Sequence, residues 1–262
     1  MAILTNHLRK QTPMTHILVT NDDGVDAPGI LALARAMRQF GPVEAAAPAQ
    51  NQSNSGHKKT LFQDIHISEK MLDGDIPTLA VDGSPADCIA IAAMGLRNWP
   101  PRVVVSGINR GENMGQDLTY SGTITAALEA TINGVPGVAV SLANRFADDP
   151  EDYAEAARIA AIVVAKVIEH GLPPLTILSV NVPMGPVRGL RLTRQGLRVY
   201  NDEIEREGNI VRMVGEPPTG RVDEAGTDLW ALHEGFASVT PVHLDMTAHH
   251  FMADLNAWDM EV

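Results

Sequence analysis

Residues 16–30 read HILVTNDDGVDAPGI, and the rest of the chain is interpreted from this stretch. HILVT, His16 to Thr20, is short, apolar and rich in β-branched residues, as expected of a strand buried on both faces. Asn21-Asp22-Asp23-Gly24 then turns the chain. A helix fits residues 28–39: Asp26 suits a cap, Pro28 a first turn, and Ile30, Leu33, Ala34 and Met37 share one face. A buried strand, a polar turn and an amphipathic helix open a β-α unit.

The same rhythm continues outward. Strands are expected at 43–47, 102–106, 137–141 and 175–180, and helices at 84–97, 122–133 and 152–170. Residues 60–81 read as extended or hairpin structure with Asp-Gly turns at 73–74 and 82–83. Asp87 is placed for a capping box with Ser84. Strands alternating with helices predict a Rossmann-like, mostly parallel α/β sheet with helices on both faces. After Pro183 the rhythm changes to short alternating strands with Gly/Pro turns, including GEPPTG at 215–220, and a final helix over 247–258. The expected division is a short extension at 1–14, an α/β catalytic core at 15–186, and a β-rich excursion with a terminal helix at 187–262.

The chain has 262 residues, one cysteine, and 32 acidic against 20 basic side chains, a net charge of −12. That balance disfavours a grip on duplex nucleic acid or an anionic membrane. It leaves room for a small phosphate ester if positive charge is supplied locally. Cys88 cannot form an internal disulfide, no apolar run reaches the length of a membrane span, and the N-terminus lacks a signal-type apolar core. A cytoplasmic protein is therefore expected.

In open α/β sheets ligands bind beyond the carboxyl ends of the strands, so the residues just after each strand matter most. These are Asp22-Asp23 after the first, the loop carrying Ser53 after the second, and Gly107-Ile108-Asn109 after RVVVS. Two carboxylates, a hydroxyl and an amide are hard oxygen donors, which suit Mg²⁺ or Mn²⁺. Adjacent carboxylates repel, and a cation between them removes the conflict. The bare pair also allows a capping Asp beside a solvated one, but its position between a buried strand and a glycine turn favours the metal.

Ser121-Gly122-Thr123 sits at a helix start, where free N–H groups can hold a phosphate; a plain N-cap is the alternative. His57, within the Ser53 loop, is a candidate for proton transfer, Lys58 and Lys59 read as a solvated pair, and Cys88 as core. Serine-hydrolase elbow, Walker and zincin motifs are absent. A receiver-like signalling domain would need a phosphoacceptor Asp where Asn109 stands. A haloacid-dehalogenase-like phosphatase would need D-x-D rather than Asp22-Asp23.

The blocks ILVTNDDGVDAPGI at 17–30, NQS at 51–53, GSPADC at 83–88 and VVVSGINRGENMGQDLTYSGTITAALEA at 103–130 resemble the survival protein SurE family of metal-dependent nucleotidases. Weaker agreement runs through NVP at 181–183, GTD at 226–228 and VTPVHLDMTAH at 239–249. The resemblance implies a 5′-nucleotidase, possible also on 3′-monophosphates, that hydrolyses nucleoside monophosphates to nucleoside and phosphate with one divalent cation. It implies metal ligands Asp22, Asp23, Ser53 and Asn109, and phosphate contacts from Asn109, Asn113, Ser121, Gly122 and Thr123. Asp22 or Asp23 would be the base that activates water. It also implies a homodimer or homotetramer formed through the C-terminal excursion. The loop departs from the family pattern at Asn54, where glycine usually follows the serine.

Overall fold

A computed structural model describes residues 15–215 and 218–258. The expected extension at 1–14 lies outside the described residues, as does part of the GEPPTG turn.

The strands and helices alternate much as the sequence predicts. The order is β1 (Ile17–Thr20), α1 (Pro28–Met37), β2 (Val43–Pro48), β3 (Ile67–Leu72), β4 (Ile76–Val81), α2 (Pro85–Ile91), β5 (Val103–Arg110), α3 (Gly122–Ile132), β6 (Gly137–Leu142), α4 (Ala154–His170) and β7 (Thr176–Val182). The C-terminal part adds β8 (Leu190–Leu192), β9 (Arg198–Val199), β10 (Asp202–Glu207), β11 (Ile210–Gly215), β12 (Thr219–Gly220), α5 (Asp228–His233), β13 (Ala237–His243) and α6 (His249–Leu255).

Nine strands form one sheet in the order β3-β4-β2-β1-β5-β6-β7-β13-β8. The six from β4 to β7 are parallel, with β3 antiparallel at one edge and β13 antiparallel to β7 at the other. From β1 the chain builds outward through β2 and β4, then returns to lay β5 on the other side of β1. The β1/β5 boundary is therefore the topological switch point, where the connections diverge and leave a crevice.

Alternation along each strand divides the core. Ile17, Val19, Val103 and Val105 face α1 and α4, packing with Ile30, Leu33, Ile159 and Val163. Leu18 and Val104 face α2 and α3, packing with Ile89, Ala126 and Cys88, which is fully buried as expected of core. Gly29 lets α1 lie directly on β5: a Cβ there would come within 2.1 Å of the Ile108 carbonyl oxygen.

Three local expectations change. Asp26 does not cap α1; Ala27 occupies that position without a side-chain bond, and Asp26 pairs with Lys70 of β3. The helix expected to run to residue 97 ends as α2 at Ile91 and continues as a short wide turn through Leu96, broken where Gly95 takes φ 113°. The helix α5 was not anticipated. The Ser84/Asp87 capping box and the hairpin turn at Asp73-Gly74 form as predicted.

Strands β10 and β11 make a separate antiparallel ribbon, and β9 pairs with β12. No helix among the described residues is long and apolar enough to cross a membrane.

Candidate active site

Each segment that follows a central strand contributes a side chain to the switch-point crevice. After β1, Asn21 is buried and closes the turn by donating from Nδ2 to the Gly24 carbonyl at 2.8 Å. Gly24 takes φ +106°, and a Cβ there would press on the Gln50 backbone, so glycine lets the two loops meet.

Asp22 is 3% exposed. Its Oδ1 accepts from the Thr123 hydroxyl at 2.6 Å. Burial pushes its pKa up to about 6, against the lowering effect of the Thr123 bond, and the Asp23 charge adds to the rise. Asp23 is less buried, and burial also raises its pKa, partly offset by the Arg110 backbone N–H that donates to Oδ2 at 3.1 Å.

The Ser53 loop is fastened beside this pair. The Gln52 N–H donates to the Asp22 carbonyl at 2.7 Å, and the Ser53 N–H to Asn51 Oδ1 at 2.8 Å. Farther along, Thr60 donates twice to Asp87, Ser84 donates to the Lys58 carbonyl, and Thr125 donates to the Gly56 carbonyl. Glu129 of α3, only 2% exposed, takes Lys59 Nζ at 2.9 Å, His57 Nε2 at 3.2 Å and Asn133 Nδ2 at 3.1 Å. These partners hold its pKa down against the upward push of burial. Lys59, though well exposed, is thus paired with a buried acid. His57 anchors the loop and is not among the residues lining the cleft.

On β5 the register slips between Ser106 and Asn109, a bulge that re-aims the strand end. Asn109 Nδ2 donates to the Gly111 carbonyl at 2.8 Å, which directs the amide.

At the start of α3, Ser121 caps the helix by accepting from the Ile124 N–H. Gly122 lies against Asp22: a Cβ would stand 2.8 Å from the Asp22 Cβ and 3.0 Å from Pro85 Cγ. The hydroxyl of Thr123 serves Asp22, so it is spent on the carboxylate. Asn113 lines the cleft, with its N–H donating to Asn181 Oδ1 and its Nδ2 to Ser141 Oγ, both at strand ends.

The result is an open cleft of about 780 Å³ lined by Asp22, Ser53, Asn109, Asn113 and Ser121 among others. Asp23 lines a smaller adjoining cavity of about 290 Å³, with Arg110 shared between the two. No cluster of three or more His, Cys, Asp and Glu side chains that could hold a metal occurs among the described residues. Two carboxylates with neutral oxygen donors is the sparse set that Mg²⁺ uses when substrate phosphates complete its shell. Buried Asp22 carries the unrelieved charge of half-buried Asp23 beside it, a conflict that a cation would relieve, so these residues fit such a group.

The far wall was not legible in the sequence. Tyr200, Asp202, Met213 and Pro218, all from the C-terminal excursion, line the same cleft. Arg198, 6% exposed, holds that wall by donating to Glu112 at 2.8 Å and Asp117 at 2.9 Å. Buried Asp228 accepts from the Gly115 and Gly196 N–H groups at 2.9 and 2.7 Å. More than 80 residues separate Arg198 from its partners, and the GTD block at 226–228 was the one sequence signal near Asp228.

Comparison with known proteins agrees with this geometry. A family model described as survival protein SurE matches residues 17–202. A protein of Syntrophotalea carbinolica named 5′-nucleotidase SurE is 46% identical over 93% of this chain and 97% of its own. One of the same name from Chloroflexus aggregans is 41% identical over 94% of this chain and 100% of its own. The crystal structure of the SurE protein from Aquifex aeolicus superposes with a TM-score of 0.80 at 35% identity, covering 94% of this chain and all of that one. With the fold, the strand-end residues and these relatives in agreement, the chain belongs to the survival protein SurE family.

Proposed function

We propose that this protein is a 5′-nucleotidase, a phosphatase that hydrolyses nucleoside 5′-monophosphates, and 3′-monophosphates as a further class, to nucleoside and phosphate. The observation that carries the reading is the convergence of Asp22, Ser53, Asn109 and the α3 start on one cleft at the β1/β5 switch point. The names of the relatives support it.

Asp22, Asp23, Ser53 and Asn109 would hold one divalent cation, Mg²⁺ or Mn²⁺. When bound it would supply Lewis-acid polarisation of phosphate oxygens. Ser121 and the Gly122 N–H would receive the phosphoryl group, with the positive end of α3 offsetting its charge. Thr123 would act through Asp22 rather than on the phosphate. Asp22 lines the cleft, which would place its carboxylate to take the proton from an attacking water. Asp23, whose Oδ2 accepts from the Arg110 N–H, would share the cation with Asp22 and add its charge. Asn113 would shape the cleft floor through Ser141 and Asn181.

Residues 15–186 would form the catalytic core and 187–262 an excursion for assembly into a homodimer or homotetramer, in the cytoplasm. The exposed apolar side chains of the β10–β11 ribbon support the assembly.

The test is phosphate release from a panel of nucleoside monophosphates with Mg²⁺, Mn²⁺ or EDTA. Hydrolysis lost in EDTA and in Asp22→Asn is expected. Undiminished turnover in either condition overturns the reading.

A further inference from the structure

Asn181 stands near the end of β7, 1% exposed, and is not among the residues lining the cleft. It pairs in register with Ser141 of β6 and Ser238 of β13. Alternation puts it on the face of β7 where Ile177 meets α3. A buried amide needs partners for both its ends. Asn181 finds both on one residue: Oδ1 accepts from the Asn113 N–H at 2.8 Å, and Nδ2 donates to the Asn113 carbonyl at 2.9 Å. The side chain grips Asn113 as a neighbouring strand would, across 68 positions of sequence.

This clamp holds the segment that carries Asn109. The register of β5 against β6 slips between Ser106 and Asn109, so the ladder alone does not fix the strand end. Past the bulge the Gly111 N–H reaches the Leu142 carbonyl at 2.8 Å, and the Gly111 carbonyl directs the Asn109 amide. Asn113, two residues on, is fixed by Asn181 at its backbone and by Ser141 Oγ at its side chain. Charged groups on the helices packed against this face are engaged elsewhere. Glu129 of α3 takes Lys59 and His57, Asp228 of α5 takes the Gly115 and Gly196 N–H groups, and His233 is exposed. Glu112, beside Asn113, pairs with Arg198. Asn181 therefore works among neutral partners.

We propose that Asn181 is a positioning residue for catalysis: by gripping the peptide groups on both sides of Asn113, it sets residues 109–113 and so the aim of Asn109 and Asn113 into the cleft. The proposal rests on the nucleotidase reading above and adds to it a residue outside the cleft lining. Asn181→Asp isolates the donor half of the clamp. It keeps the acceptor for the Asn113 N–H but, when ionised, sets a carboxylate oxygen against the Asn113 carbonyl, acceptor against acceptor. When protonated it donates again and remakes the clamp, and burial favours that form.

The experiment measures kcat/KM for AMP with Mg²⁺ in the parent, Asn181→Asp and Asn181→Ala, at about pH 5.5 and about pH 8, at a temperature where circular dichroism shows each of them folded. At the higher pH both variants are expected to be about 10- to 100-fold below the parent. At the lower pH Asn181→Asp should recover about tenfold relative to the parent while Asn181→Ala does not, a contrast that a general loss of stability would not produce. Asn181→Ala within about twofold of the parent overturns the proposal, as does an Asn181→Asp ratio that is the same at both pH values. Hydrogen exchange on the intact protein tests the clamp without any variant. The Asn113 N–H should be protected like the sheet amides, and exchange at the rate of an exposed loop amide overturns the proposal even if neither variant folds. A parent that hydrolyses no nucleoside monophosphate sinks the nucleotidase reading and this proposal with it, and a protected Asn113 amide would then mark the failure as one of function rather than of the clamp.

Discussion

Asp22 combines a place in the cleft with a cost in stability. Its folded pKa of about 6 lies above the ordinary 3.8, so the folded chain binds the proton more tightly than the unfolded chain. Below about pH 4 both states are protonated and the residue is neutral to stability. As pH rises toward 6 the unfolded chain ionises first, and stability falls by about 3 kcal/mol across that window. In EDTA, Asp22→Asn should therefore be more stable than the parent by about 1–3 kcal/mol at pH 7 in urea unfolding, while losing hydrolysis. A variant no more stable than the parent would sink this account of the buried charge. Thr123 tests the same carboxylate from the other side. Thr123→Val removes the 2.6 Å donor to Asp22 and should raise the Mg²⁺ concentration for half-maximal activity by about 10- to 100-fold, with Thr123→Ser restoring it. No change in the metal requirement would mean that the hydroxyl does not position Asp22. The sequence placed Thr123 at a helix start; that its hydroxyl turns back to a residue 101 positions earlier is a tertiary fact.

Among the elements, the loop between β2 and β3 matters most, because it carries Ser53 and has no secondary structure of its own. Its order comes from α2 and α3, through Asp87 and above all through buried Glu129. Lys59 is well exposed, so its ion pair alone contributes little. Glu129, in contrast, needs its partners because an unpaired buried carboxylate is costly. Glu129→Ala should release residues 54–60, seen as about tenfold faster tryptic cleavage after Lys58 and Lys59, with loss of turnover. Cleavage at the parent rate would show that the loop is held elsewhere. The segment's composition reads as an ordinary polar loop, since the partners that order it lie some 70 positions away. The strands and helices of the core were legible because each carries its own period. The Ser84/Asp87 box was legible because both partners lie within one turn. Asp26 was misread because a capping residue and a surface ion-pair partner look alike until Lys70 is folded beside it.

For the whole molecule, charge and apolar surface both concentrate in the C-terminal part. Residues 201–262 carry 13 acids against 3 Lys/Arg, and residues 1–200 carry 19 against 17, so the part that holds the sheet's parallel strands is nearly neutral. Ile204 and Val211 of the β10–β11 ribbon are 72% and 63% exposed. A two-stranded ribbon is marginal in water unless one face is covered. If the proposed assembly uses this face, Ile204→Glu with Val211→Glu should shift sedimentation toward monomer, and an unchanged species would remove the ribbon from that proposal. The sequence by itself determined the β-α alternation, the parallel core, the strand-end acids and the start of α3 at Ser121-Gly122, because periodicity and strand-end position are local properties. Only the tertiary structure decided that Asp22 is buried while Asp23 stays half-buried, that the Thr123 hydroxyl and Glu129 serve other residues, and that Tyr200 and Met213 line the cleft. Each of those depends on groups tens of residues apart being brought within a few ångströms by the order of strands in the sheet, which no local pattern encodes.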